Sequence, residues 1–169
     1  MKNNFIIKYI LLVIAQIIIC NYFHLSSYIM LTILPVLVLC MPTRYTTLNS
    51  MLIAFVTGLA TDFLADGVIG LNTLALVPVA YFRKSIYRLY FGEDLIVRER
   101  DFTIHKYGVW KVGAAVMTAQ ALFLLIYLWA DGAASRPFLF NFERFSFSLI
   151  VGTILSVIIA GFVQPDERR

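Results

Sequence analysis

Residues able to do covalent or metal chemistry are few in this chain and far apart. It carries two histidines, His24 and His105, and two cysteines, Cys20 and Cys40. A nucleophile needs a base within hydrogen-bond reach, and a metal needs three or four converging ligands. No His pair, Cys cluster, Ser-x-x-Lys, glycine-rich phosphate loop or His-Glu-x-x-His occurs. Only Asp62 approaches the depth at which intramembrane proteases place an acid, and no second acid sits inside another apolar stretch. Two amides, Gln16 and Gln120, fall near the middle of long apolar runs. They read as interhelical hydrogen bonds worth ~1 kcal/mol each, or as the lining of a polar pocket. These residues predict a protein that is not an enzyme and holds no metal or cofactor.

The elements that must position them are long and apolar. Of 169 residues, 60% are hydrophobic and 14% charged, with a mean hydropathy of +0.82. A soluble core of this size cannot hide so much apolar surface, and the charges are segregated into short patches between apolar runs. A membrane-crossing helix needs about 20 residues. Six stretches approach this: Phe5 to Phe23, Leu25 to Met41 with a bend at Pro35, Asn49 to Leu64, Val68 to Phe82 with Pro78 near its end, Gly108 to Ala130, and Phe145 to Val163. The pair around Asp66 and Gly67 forms either two spans or one re-entrant hairpin. The expected fold is an all-α integral membrane protein, a six-transmembrane-helix bundle in one domain over 1–169, with a charged cytoplasmic loop over 83–106. The first stretch is too long for a signal-peptide core and lacks a small-x-small cleavage site, so it is expected to stay in the mature protein.

Orientation follows from the cations. Lys2, Lys8, Arg44, Arg83, Lys84, Arg88, Arg98, Arg100, Lys106, Lys111, Arg168 and Arg169 fall on one side, and only Arg136 and Arg144 on the other. Twelve against two places both termini in the cytoplasm under a six-span path. The same distribution attributes the net charge of +4 to lipid headgroups and not to nucleic acid. Lys111, at the start of a span, can snorkel to the headgroups. Cys20 and Cys40 come near opposite faces and read as free thiols.

Helical periodicity in the third stretch gathers Ser50, Ala54, Thr57, Gly58, Thr61 and Ala65 on one face, and Leu52, Phe55, Val56, Leu59 and Phe63 on the other. The small face predicts close helix packing, the large one lipid contact. Asp62, on the flank of the small face, reads either as a solvated helix-end acid or as a carboxylate that fixes the outer loop or a partner. Ser148, Gly152, Ser156 and Ala160 form a similar stripe in the sixth stretch. The 83–106 segment reads as an interfacial helix on anionic headgroups or a docking site. Phe138, Phe140 and Phe142 alternate as in an extended strand or belong to an aromatic belt.

The run from Gly58 through Asp62, then Asp66-Gly67-Val68-Ile69-Gly70-Leu71-Asn72, ending near Ala80-Tyr81, resembles the signature of the rod shape-determining MreD family. There a Gly-x-x-x-Asp closing the third helix is followed by a loop, a Gly-Leu opening the fourth helix and an Ala-Tyr near its end. Length, span count and the long basic loop match as well. The resemblance implies a scaffold subunit of the bacterial cell-wall elongation machinery in the cytoplasmic membrane. Such a subunit binds the single-span MreC and, indirectly, MreB, RodA and a penicillin-binding transpeptidase, supporting peptidoglycan synthesis and rod shape. Gly58, Asp62, Gly67 and Gly70 would then form a partner-binding or structural motif. The family's fold is similar to that of the substrate-binding subunits of energy-coupling-factor vitamin transporters, which supplies a second reading; a small-molecule permease is a third. Those vitamin-binding subunits commonly carry an Ala-x-x-x-Ala face on the first helix, and here Ala15 is the only alanine in that stretch.

Overall fold

The computed structural model describes residues 2–22, 30–66, 68–92, 107–132 and 138–163, and these contain helices and connecting turns without a β-strand. The helices are α1 (Lys2–Tyr22), α2 (Leu34–Leu39), α3 (Thr47–Thr61), α4 (Leu71–Phe91), α5 (Val109–Gly132) and α6 (Phe138–Val163). Among the described residues, three stretches are long and apolar enough to cross a membrane: Thr47–Ala65, Val109–Gly132 and Leu139–Gly161. Ile6–Tyr22 is a shorter apolar helix.

α3 starts where Thr46, in an extended conformation, accepts a hydrogen bond from Asn49 N through its side chain, satisfying a backbone donor that the first helical turn leaves open. It ends in a π-helical turn, Asp62–Asp66, a local widening that often marks functional positions. α4 begins at Gly70, whose φ of +105° suits glycine, and closes at Gly92. α3 packs most extensively on α4, α4 on α5, and α5 on α6, with α2 lodged against α4 and α5. α5 is central: half of its apolar span is buried, against 22% for α6.

Four expectations change. The second stretch is helical only over Leu34–Leu39, preceded by non-helical backbone at 30–33. Pro35 stands at the start of this helix, where its missing N–H breaks no intrahelical bond, so it opens the helix instead of bending it. α4 runs on to Phe91 with Pro78 in its interior; residues 83–91, expected in a loop, are helical because Arg83, Ile86 and Tyr87 continue the buried face of Val79 and Ala80. Residues 138–142 form the first turns of α6 and not a strand. His24, His105, Gly67, Arg136 and the segments 93–106 and 164–169 lie outside the described residues.

On α3, Ser50, Ala54, Thr57, Gly58 and Thr61 are buried while Leu52, Phe55, Val56, Leu59 and Phe63 are exposed; Ala65 is half-buried. On α6, Ser148, Gly152, Ser156 and Ala160 are buried and Phe147, Ile150, Ile154 and Ile158 exposed. Apolar faces of this extent are compatible with a lipid environment.

Candidate functional site

The motif residues converge where the π turn meets the start of α4. Asp62 is 0% exposed. Its Oδ1 accepts from Asn72 N at 2.8 Å. Its Oδ2 accepts from Gly70 N at 3.0 Å, Thr73 N at 3.1 Å and Thr73 Oγ1 at 2.7 Å. The carboxylate thus caps α4 from another helix, satisfying N–H groups that a helix start leaves without partners and meeting the positive end of its dipole. This excludes the solvated helix-end reading: the acid is enclosed and bonded to the loop.

Gly58, one turn earlier, makes the approach feasible. A Cβ there would lie 2.6 Å from Thr73 Cα and 2.8 Å from Thr73 N, so only a residue without a side chain lets α3 and α4 meet at this separation. Gly70 works differently: a Cβ at 70 would meet nothing within 4 Å, and the positive φ alone makes glycine suitable. Thr61 Oγ1 donates back to Thr57 O at 2.9 Å, and Thr57 Oγ1 pairs with Tyr9 OH at 2.9 Å. Asn21 Nδ2 donates to Leu64 O at 3.0 Å, tying α1 to the π turn. Around this enclosed node, Phe63, Leu64, Val68 and Ile69 are all exposed.

A second polar node holds the other end of α3 and α4. Arg83, 2% exposed, donates from Nη1 to Ser50 Oγ at 2.9 Å, from Nε to Tyr87 OH at 3.3 Å, and from Nη2 to Pro42 O at 2.9 Å and to Met41 O. Tyr87 OH donates to Leu39 O, and the guanidinium lies 5.2 Å from the Tyr87 ring centroid. The planar fork of Arg spreads donors over several acceptors at once, so this residue closes the turn between α2 and α3. By its charge Arg83 belongs with the cytoplasmic cations of the 83–106 segment. The helical spacing of Val79, Ala80, Arg83, Ile86 and Tyr87 is the sequence signal that puts it on a buried face instead.

A third node surrounds residues 30–33. Gln16 Oε1 accepts from Ile33 N at 2.8 Å, and its Nε2 donates to Leu31 O at 3.3 Å and Cys20 Sγ at 2.9 Å. Gln120 Nε2 donates to Thr32 O at 3.3 Å, and Ser148 Oγ accepts from Met30 N at 2.9 Å. Non-helical backbone within an apolar bundle must be satisfied by protein groups, and α1, α5 and α6 each supply one. Neither Cys20 nor Cys40 forms a disulfide. Among the described residues no group of three or more His, Cys, Asp or Glu side chains converges. Between α1 and α3 lies an open apolar groove of about 530 Å³ lined by Tyr9, Val13, Ile17, Val56, Thr57 and Ala60 among others.

No family model, curated protein or solved structure matches this chain.

Proposed function

We propose that this chain is a non-enzymatic scaffold of the bacterial cell-wall elongation machinery, a multi-pass protein of the cytoplasmic membrane with both termini inside. It crosses six times: α3, α5 and α6, together with α1, the segment leading through α2, and the first half of α4. Its direct partner is an MreC-like single-span protein, and through it MreB, RodA and a penicillin-binding transpeptidase. The observation that carries the reading is the enclosed Asp62 node. Gly58, Asp62 and Gly70, which carry the resemblance to MreD, meet in one rigid cluster, and the turn it holds exposes Phe63, Leu64, Val68 and Ile69. An apolar knuckle at the outer end of two helices suits holding a partner, and among the described residues no group of three or more His, Cys, Asp or Glu side chains converges there.

The test is co-purification with an MreC-like partner. Ile69→Glu is expected to reduce recovery of the complex at unchanged thermal stability, since it alters only an exposed side chain. Asp62→Asn preserves volume but turns a donor toward Asn72 N, so it is expected to lower stability by about 1.5–3 kcal/mol and complex recovery with it. If the wild-type chain never co-purifies with such a partner, the scaffold reading fails. Stoichiometric retention of a vitamin, read by mass spectrometry of the purified protein, would instead favour the transporter-subunit reading.

A further inference from the structure

The apolar groove between α1 and α3 is held open by polar contacts. Tyr9 OH meets Thr57 Oγ1 at 2.9 Å, so a tyrosine side chain bridges the two helices. Asn21 Nδ2 holds Leu64 O at 3.0 Å at the outer end, and Gln16 ties the middle of α1 to Ile33 N at 2.8 Å instead of to α3. α1 cannot close onto α3 without breaking these bonds, so the groove is preformed. Val13, Ile17, Ile53 and Ala60 line it half-buried, while Ile10, Ile14, Leu52, Val56 and Leu64 line it exposed, as a rim. Its two polar lining residues, Tyr9 and Thr57, bond each other. An occupant is offered apolar contact and must itself be apolar, since a polar group placed there would go unpaired.

The position of the groove along the helices selects the occupant. Val56 is the midpoint of Thr47–Ala65 and Ile14 the midpoint of Ile6–Tyr22, and both line the groove. It therefore straddles the middle of the apolar layer. From Leu52 to Leu64 it follows α3 for about 18 Å, whereas one leaflet of hydrocarbon is about 15 Å deep and its acyl chains end at the midplane. A lipid tail from either side would fill only part of it. Leu64 also belongs to the exposed knuckle with Phe63, Val68 and Ile69, so groove and knuckle form one continuous apolar track from mid-membrane to the outer end. A symmetric contact with a second copy would set one concave groove against another, which does not fill it.

We propose that the groove seats the membrane-spanning helix of the single-span partner, whose outer turn rests on Phe63, Leu64, Val68 and Ile69; this rests on the scaffold reading above. An apolar helix crosses both leaflets and inserts side chains at i, i+3, i+4 and i+7 spacing into such a groove.

The test is site-specific photo-crosslinking in membranes that contain the full chain and its co-expressed full-length partner. A benzophenone side chain replaces Ile14 or Val56 on the rim, or Leu11 or Phe55, which are exposed but do not line the groove. Adducts from positions 14 and 56 are expected to map by mass spectrometry to the apolar span of the partner, with far fewer from 11 and 55. Ala60→Phe, which places a ring in the groove, is expected to lower recovery of the complex several-fold at an unchanged melting temperature. If the wild-type complex is recovered but positions 14 and 56 label only lipid or another copy of this chain, the inference is overturned and the scaffold reading stands. Full recovery of the complex with a folded Ala60→Phe protein overturns it equally. If the wild type forms no complex, both readings fall. Should Ala60→Phe not fold, the adduct pattern decides alone.

Discussion

Replacing Gly58 by alanine adds one methyl group at the closest approach of α3 and α4. That carbon would sit 2.6 Å from Thr73 Cα, and carbon atoms at rest lie about 3.5 Å or more apart, so the helices must separate by roughly 0.9 Å. The neighbour is backbone, and no rotamer change relieves it. Moving α4 away also withdraws the donors of Gly70, Asn72 and Thr73 from Asp62, where the longest bond is already 3.1 Å. Overpacking costs about 1–3 kcal/mol and a lost bond to a buried carboxylate about 1.5–3, offset by about 1 kcal/mol of helix propensity for alanine over glycine; the net is a destabilisation of roughly 1.5–5 kcal/mol. For a chain of this length that corresponds to a melting temperature lower by on the order of 10 °C. The assay is thermal unfolding of detergent-purified protein, with Gly113→Ala as the internal control. At Gly113 an added Cβ would meet only Val157 Cγ2, at 3.9 Å, so the propensity gain stands alone and the variant should match or exceed the wild type. A Gly58→Ala protein as stable as the wild type would refute the claim that this contact limits the helix separation.

Three further outcomes follow from the other nodes. Gly70→Ala, which meets no atoms, should still cost about 1–3 kcal/mol through its backbone conformation, with Gly70→Asn milder; equal melting temperatures for all three proteins would rule this out. Arg83→Lys replaces a fork bonded to Ser50, Tyr87, Met41 and Pro42 by a single ammonium, and should lower stability by about 1–3 kcal/mol in spite of the retained charge. A lysine variant with unchanged melting would mean that charge alone suffices there. In a background lacking Cys20 and Cys40, Val97→Cys should be labelled from the cytoplasmic side and Ser135→Cys from outside; the reverse would overturn the proposed orientation.

Where one period runs through a whole helix, as in α3, its existence and its faces were legible because both depend on local period. The spacing that separates Ser50, Ala54, Thr57, Gly58 and Thr61 from Leu52, Phe55, Val56, Leu59 and Phe63 is the same division that burial makes on α3. Where a polar side chain finds its partner is a different matter. Asp62 meets Asn72 and Thr73 ten and eleven residues away, and whether it faced water or a helix start depended on how far Gly58 lets α4 approach. Arg83 carried the charge pattern of a loop, yet its hydrogen bonds reach Met41, Pro42 and Ser50, more than thirty residues back. The break in the second stretch was equally illegible: its apolar residues suit a continuous helix, while the backbone at 30–33 is held by Gln16, Gln120 and Ser148 from three helices distant in sequence. Apolar period and charge placement act over one or two turns and can be read in order along the chain. Satisfaction of buried polar groups is decided only when the helices close on one another, since the price of leaving such a group unpaired arises when water is gone.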